Sequence, residues 1–258
     1  MRYALGLEYD GRGFCGWQSQ AQGRTVQDQL NQALSAIAGH DIRCLAAGRT
    51  DTGVHASHQV VHFDSDASRP LTAWVRGVNR FLPSDIAVSW AQAVDDDFHA
   101  RFSAMSRTYR YVLLNRPTRP ALLSGRVGWF HGALDVAAMQ EAAHILLGEH
   151  DFSSFRAAEC QAKTPVKQLD RFDVYRQGEL IIFDLQANAF LHHMVRNLVG
   201  ALIYIGKGRY PAAWMHELLA ACDRTYAPPT FMPDGLYLCG VGYPESYAFP
   251  SVTMPVLA

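Results

Sequence analysis

The sequence predicts an α+β fold made of two similar halves, each a mostly antiparallel sheet flanked by helices, with a central cleft. Three observations point there. Two helix-like segments recur with a polar opening residue and a Gly-containing, His–Asp close. Two strand-like segments each end in Phe-Asp. Each Phe-Asp is then followed at the same distance by a Val-Arg pair, from 64 to 76 and from 184 to 196.

The first helix opens at Thr25-Val26-Gln27-Asp28, with Thr25 as its N-cap, since a threonine oxygen accepts the otherwise unpaired amides of a first turn. Val26, Leu30, Ala33, Leu34 and Ile37 follow at helical spacing, and Gly39-His40-Asp41 closes it. In the second half Asp135 is the cap, Val136, Met139, Ala143 and Leu146 form the stripe, and Gly148-Glu149-His150-Asp151 ends it. Val60-Val61-His62-Phe63-Asp64 and Leu180-Ile181-Ile182-Phe183-Asp184 read as strands, rich in β-branched and aromatic residues. Trp74-Val75-Arg76 and Met194-Val195-Arg196 each begin a helical segment. The junction is placed at Asp95-Asp96-Asp97, giving an N-terminal subdomain over 1–97 and a C-terminal one over 98–258; Pro117 and Pro120 mark an irregular connection.

A chain of 258 residues fits one or two domains. No apolar stretch reaches the roughly 18 residues of a membrane span. The N-terminus meets Glu8 before any signal-like apolar run, so a cytoplasmic location is expected. Five cysteines, odd in number and without a CxxC, favour reduced thiols over a disulfide frame or zinc site. The net charge of −1 does not advertise a nucleic-acid partner, but its distribution does. Between Arg101 and Arg126 stand six arginines and no acid, with Phe102, Tyr109 and Tyr111 among them, a pattern that suits phosphate contacts and base stacking. In the strand within that run, Arg107, Tyr109, Tyr111 and Leu113 share one face.

The most informative stretch is Gly48-Arg49-Thr50-Asp51-Thr52-Gly53-Val54-His55. Two glycines let the backbone turn tightly and approach a ligand, and a lone carboxylate beside a guanidinium can be aimed as a nucleophile. Asp51 can equally accept hydrogen bonds from its own turn. Asp51-Thr52-Gly53 is also the triplet of aspartic proteases, where a dimer would supply two carboxylates, though Arg49 suits a lone ionised carboxylate better than a proton-sharing pair. A non-catalytic RNA-binding module is the other rival, with aromatic and basic strands but no use for a carboxylate facing phosphates. His55, His58 and His62 do not read as a metal site: in a strand 58 and 62 share a face and 55 takes the other. His192-His193 reads as structural.

Motifs spread over nearly the whole chain resemble the tRNA pseudouridine synthase A family. They are Tyr9-Asp10-Gly11 with Phe14 and Gly16-Trp17-Gln18, Thr25-Val26-Gln27, the Gly48–Ala56 loop, Phe98-His99-Ala100-Arg101-Phe102, Arg107-Thr108-Tyr109-Arg110-Tyr111, Asn188-Ala189-Phe190, His192-His193-Met194-Val195-Arg196-Asn197 and Asp234-Gly235-Leu236-Tyr237-Leu238. Thr52 departs from the alanine common there. The resemblance implies a homodimeric isomerase, without metal or other cofactor, that converts uridine to pseudouridine at positions 38–40 in the anticodon stem-loop of tRNA. It implies Asp51 as nucleophile, acting on a nucleotide extruded from its stack. It also points to Tyr109 as a stacking residue at the uracil and, together with the apolar helix around it, to Arg196 as the guanidinium that pairs with Asp51. Arg49 reads as a contact to phosphate or to the space the flipped base leaves, or as a brace of the loop alone.

Overall fold

In the computed structural model residues 1–250 are described. Along the chain the elements are β1 (Arg2–Tyr9), α1 (Val26–Ala38), β2 (Leu45–Ala46), β3 (His55–Asp64), α2 (Val78–Phe81), β4 (Ile86–Val94), β5 (Ser106–Asn115), β6 (Gly128–Phe130), α3 (Val136–Ile145), β7 (Gly148–Asp151), β8 (Val166–Gln177), β9 (Leu180–Ala187), α4 (Met194–Gly206), α5 (Trp214–Ala221) and β10 (Leu236–Gly242). They fall into two compact units, Met1–Met105 with the chain from Tyr237 onward, and Ser106–Leu236.

In the first unit the strands run β4-β1-β3-β10. β1 is antiparallel to β3 and β4, β2 is antiparallel to β3, and β10 lies parallel to β3. Flanked on both edges, β3 is buried from His55 through Phe63, and only Asp64 is exposed. The expected helix α1 forms as its sequence dictates. Thr25 Oγ1 accepts the Asp28 amide at 3.2 Å, and Gly39 ends the helix at φ 80°, with its amide on the Ser35 carbonyl. The buried stripe is Val26, Leu30, Ala33, Leu34 and Ala38. Val75 and Arg76 sit in a wide π-type turn over Ala73–Gly77 that runs into the short α2, so the expected helix is present but brief.

The second unit orders its strands β5-β9-β8-β7, all neighbours antiparallel, with β6 added parallel to β5. Asp135 caps α3 by accepting the Ala138 amide at 3.0 Å, and α3 packs on β8 and α4. Helix α4 is buried nearly throughout, with Arg196 and Tyr204 as its half-buried exceptions.

The boundary differs from the sequence expectation of a break after residue 97. Residues 98–105 stay with the first unit because Phe98 and Ala100 join its core of Ala4, Ala47, Val60 and Trp90. The C-terminal chain returns there too: β10 pairs with β3, and Val241, Tyr243, Tyr247 and Phe249 pack on the same core.

The two Phe-Asp pairs, one at the end of β3 and one inside β9, carry the same device. Asp64 receives Arg2, its partner across the β1–β3 register, at 2.8 Å, and Asp184 receives Arg110, its partner across β5–β9, at 2.6 Å. Their surroundings differ. The Asp64 side chain is 62% exposed, whereas that of Asp184 is 5% exposed and also accepts from Tyr175 and Arg171. Removing one partner of a buried pair strands the other charge, while an exposed pair contributes little. We expect Asp184→Ala to cost about 2–3 kcal/mol and Asp64→Ala under about 1 kcal/mol, read as the shift in urea unfolding.

The acid-free arginine run is less available to phosphate than its composition suggests. Arg107 is buried and donates to the Asn188 carbonyl, Arg110 holds Asp184, and Arg116 reaches Glu179 at 3.1 Å. Arg101, Arg119 and Arg126 are exposed.

Candidate active site

The four candidate residues fall in two sets, one on each unit. Arg49 and Asp51 belong to the loop that leads from β2 into β3. Burial alternates along it: Arg49 is exposed, Thr50 is buried, Asp51 is half-buried and Thr52 is exposed. Thr50 therefore anchors the loop from below, between an exposed Arg49 and a half-buried Asp51.

Three elements brace that loop. From the end of β1, the Tyr9 hydroxyl meets Thr50 Oγ1 at 2.8 Å. From the turn before α1, the Trp17 amide donates to the Thr50 carbonyl at 3.0 Å. From β3, Gln59 Nε2 donates to the Gly48 carbonyl at 2.7 Å. The loop closes on itself through the Val54 amide and the Asp51 carbonyl, 3.1 Å, and Gly53 supplies the positive φ of 78°. Gly48, expected to share that freedom, does not enter the left-handed region. Its place is taken by Gly16, at φ 90°, where a Cβ would stand 2.7 Å from the Thr50 carbonyl. The motifs at 9–11 and 16–18 are thus the supports of the loop, a role their sequence alone did not disclose.

The histidines of β3 have separate structural partners. His55 Nδ1 accepts the Gly11 amide at 3.1 Å, lies 3.4 Å from Asp10, and its ring stacks on Tyr237. Burial works to raise the Asp10 carboxyl, but the bonds from Arg12 and the nearby His55 outweigh it, and it ends below its ordinary value. His58 lies against Trp90, and burial lowers its pKa. His62 Nδ1 accepts the Ala100 amide at 3.1 Å, with its ring against Phe98 and His99. Burial, with smaller contributions from His99 and Arg2, brings His62 down to about 4.

This shift has a sign. The unfolded chain takes up a proton near pH 6.5 that folded His62 refuses until about pH 4, so its contribution is present at neutral pH and is lost between those values as pH falls. The expected loss is about 2 kcal/mol of unfolding free energy between pH 7 and 4.5, with a flatter profile in His62→Gln. Urea titrations at the two pH values check it.

Tyr109 and Arg196 belong to the second unit, around the connector between β9 and α4. Tyr109 lies on β5, 9% exposed, its ring edge-on to Phe190 at 5.0 Å. Tyr111, which strand alternation cannot tell from Tyr109, is fully buried and donates its hydroxyl to the Met232 carbonyl. It is a core residue, and Tyr109 stands as the candidate. Arg196 is the third residue of α4, three positions after the His193 cap at φ 62°. Its Nε donates to the Phe231 carbonyl at 2.8 Å, and its own carbonyl accepts the Phe231 amide. This double tie to the 231 segment orients the guanidinium and was not foreseeable from the helix sequence. His192 and His193 lie ring to ring at 4.0 Å, and the His192 amide donates to Cys160 Sγ. Among the described residues no helix is long and apolar enough to cross a membrane.

A family model described as tRNA pseudouridine synthase matches residues 7–103 and 142–244. The tRNA pseudouridine synthase A of Chromobacterium violaceum is 68% identical over 252 residues, covering 97% of this chain and 96% of the relative. That of Methylobacillus flagellatus is 61% identical over 250 residues, covering 97% and 96%. That of Paraburkholderia xenovorans is 60% identical over 250 residues, covering 97% and 93%. Among solved structures, a chain of a Cbf5-Nop10-Gar1 complex overlays at TM-score 0.42 and 10% identity, over 92% of this chain and 49% of that one, too distant to add to the sequence relatives.

Proposed function

This chain belongs to the tRNA pseudouridine synthase family, and on that premise we propose that it isomerises uridine to pseudouridine in the anticodon stem-loop of tRNA, at positions 38 to 40, with Asp51 as nucleophile. The observation that carries the residue assignment is the Asp51 loop: a half-buried carboxylate at the turn, on a backbone fixed through Thr50 and Gly48.

The reaction breaks the N1–C1′ bond, turns the uracil and joins C5 to C1′. C5 gives up its proton and N1 gains one, so atoms and electrons balance within the nucleotide. A carboxylate can hold the fragment through a covalent intermediate, on C1′ of the sugar or on C6 of the base. The target is stacked in the free stem-loop and has to be extruded first. Arg196 is read as the guanidinium that pairs with and orients the carboxylate, a task for a planar fork. Tyr109 is read as the ring that stacks on the uracil, its hydroxyl placed to help remove the C5 proton. Arg49, exposed two residues before Asp51, is read as a contact to phosphate or to the space left by the flipped base. The exposed Arg101, Arg119 and Arg126 are the remaining phosphate contacts of the basic run. A homodimer in the cytoplasm completes the reading, and sedimentation of the purified chain tests the dimer.

The experiment that tests the substrate is modification mapping. An unmodified tRNA transcript incubated with the enzyme, treated with carbodiimide and copied by reverse transcriptase, is expected to give new stops confined to the 38–40 stretch. Stops elsewhere, with that stretch silent, would move the target to another part of the RNA.

A further inference from the structure

We propose that Tyr9 is a positioning residue for Asp51, acting through Thr50. This rests on the reading of Asp51 as the nucleophile. Tyr9 is 4% exposed and Thr50 is 7% exposed, and the 2.8 Å bond between their hydroxyls lies under the loop, immediately before the carboxylate. A buried hydroxyl without a partner is costly, so each of these two groups holds the other in place. Burial raises the Tyr9 pKa well above its ordinary value, and the phenol stays neutral across the working pH range, able to donate or accept. Gln59, fully buried on β3, ties the same loop two residues earlier, its Nε2 gripping the Gly48 carbonyl. Tyr9 thus fixes the chain at 50 through Thr50, and Gln59 fixes it at 48.

The Thr50 main chain is held as well, by the Trp17 amide on its carbonyl. With side chain and carbonyl both tied, the residue before Asp51 has little freedom to turn, and Asp51 inherits its direction. A nucleophile gains from such fixation because a displacement near 1 Å costs about 10²-fold in rate. Tyr9 itself is buried beneath the loop and does not touch the substrate face, so its effect belongs in kcat and not in KM.

The test compares Tyr9→Phe, Thr50→Val and Thr50→Ser in the full chain, with two readouts. The first is steady-state turnover on a tRNA transcript. Tyr9→Phe and Thr50→Val are each expected to lower kcat about 10- to 100-fold with KM within about twofold, the double variant to be no worse than either, and Thr50→Ser to retain turnover near wild type. The second is amide hydrogen exchange of Val54, whose bond to the Asp51 carbonyl closes the turn. Its protection is expected to fall in Tyr9→Phe while that of the β1–β3 ladder is unchanged. A folded Tyr9→Phe with wild-type kcat, or with unchanged Val54 protection, overturns the inference. An inactive wild type would instead remove the functional reading, and the exchange result would still decide the role of Tyr9.

Discussion

Replacing Asp51 with alanine is expected to abolish turnover on tRNA, by about 10⁴-fold or more, while binding of tRNA persists or tightens. The size follows from removing a nucleophile, after which no other group can form the covalent intermediate. The sign of the binding effect follows from charge: a carboxylate facing the RNA backbone opposes it, and its loss adds attraction. The fold should tolerate the change. The loop is tied through the Thr50 hydroxyl and carbonyl and the Gly48 carbonyl, and the turn closes through the main-chain carbonyl of residue 51, which alanine keeps. Thermal unfolding close to wild type, tight tRNA binding and no product would together identify a chemical role. Residual activity within about tenfold of wild type would assign the nucleophile elsewhere.

Arg196→Lys is expected to lower kcat by roughly 10²- to 10³-fold although the charge is kept. On the proposed reading the guanidinium would be used twice. Its Nε holds the Phe231 carbonyl at 2.8 Å, and the rest of the planar fork is what a carboxylate pairs with bidentately. An ammonium group is a single point donor and cannot sit at the carbonyl and also present two parallel N–H groups. KM should move far less than kcat, because on the proposed reading the pairing would orient the nucleophile and not the RNA. Stability should change by less than about 1 kcal/mol, since Arg196 is only half-buried and the Phe231 amide still has the residue 196 carbonyl. Turnover near wild type in this variant would take Arg196 out of the site.

Much of this was legible because local chemistry decides it. Thr25 and Asp135 cap helices since their oxygens reach the first-turn amides wherever the chain turns helical there. The two Phe-Asp pairs were visible as a repeat, though their meaning was not, nor that the second lies inside its strand: only the register shows that Arg2 and Arg110 stand opposite the two carboxylates. What stayed hidden depends on contacts far apart in sequence. Nothing local to residues 237–242 says that the last strand returns to lie beside β3. Nothing in the run of arginines says that Arg107 and Arg110 are spent on Asn188 and Asp184. Strand alternation puts Tyr109 and Tyr111 on one face, and the fold separates them: Tyr111 is closed off with its hydroxyl on the Met232 carbonyl, while Tyr109 keeps 9% of its surface. Around Asp51 the glycines of the loop itself were conspicuous, yet close approaches to it are made by Gly11 and Gly16, more than thirty residues earlier.

The central claim, that Asp51 drives isomerisation of uridine in tRNA, is tested most directly with a tRNA transcript tritiated at uracil C5. Wild type is expected to release the label to water in step with turnover, because C5 exchanges its hydrogen for the bond to C1′, and Asp51→Ala is expected to release none. Salt-sensitive binding of the transcript with no release from either protein would contradict the account and leave an RNA-binding module in its place.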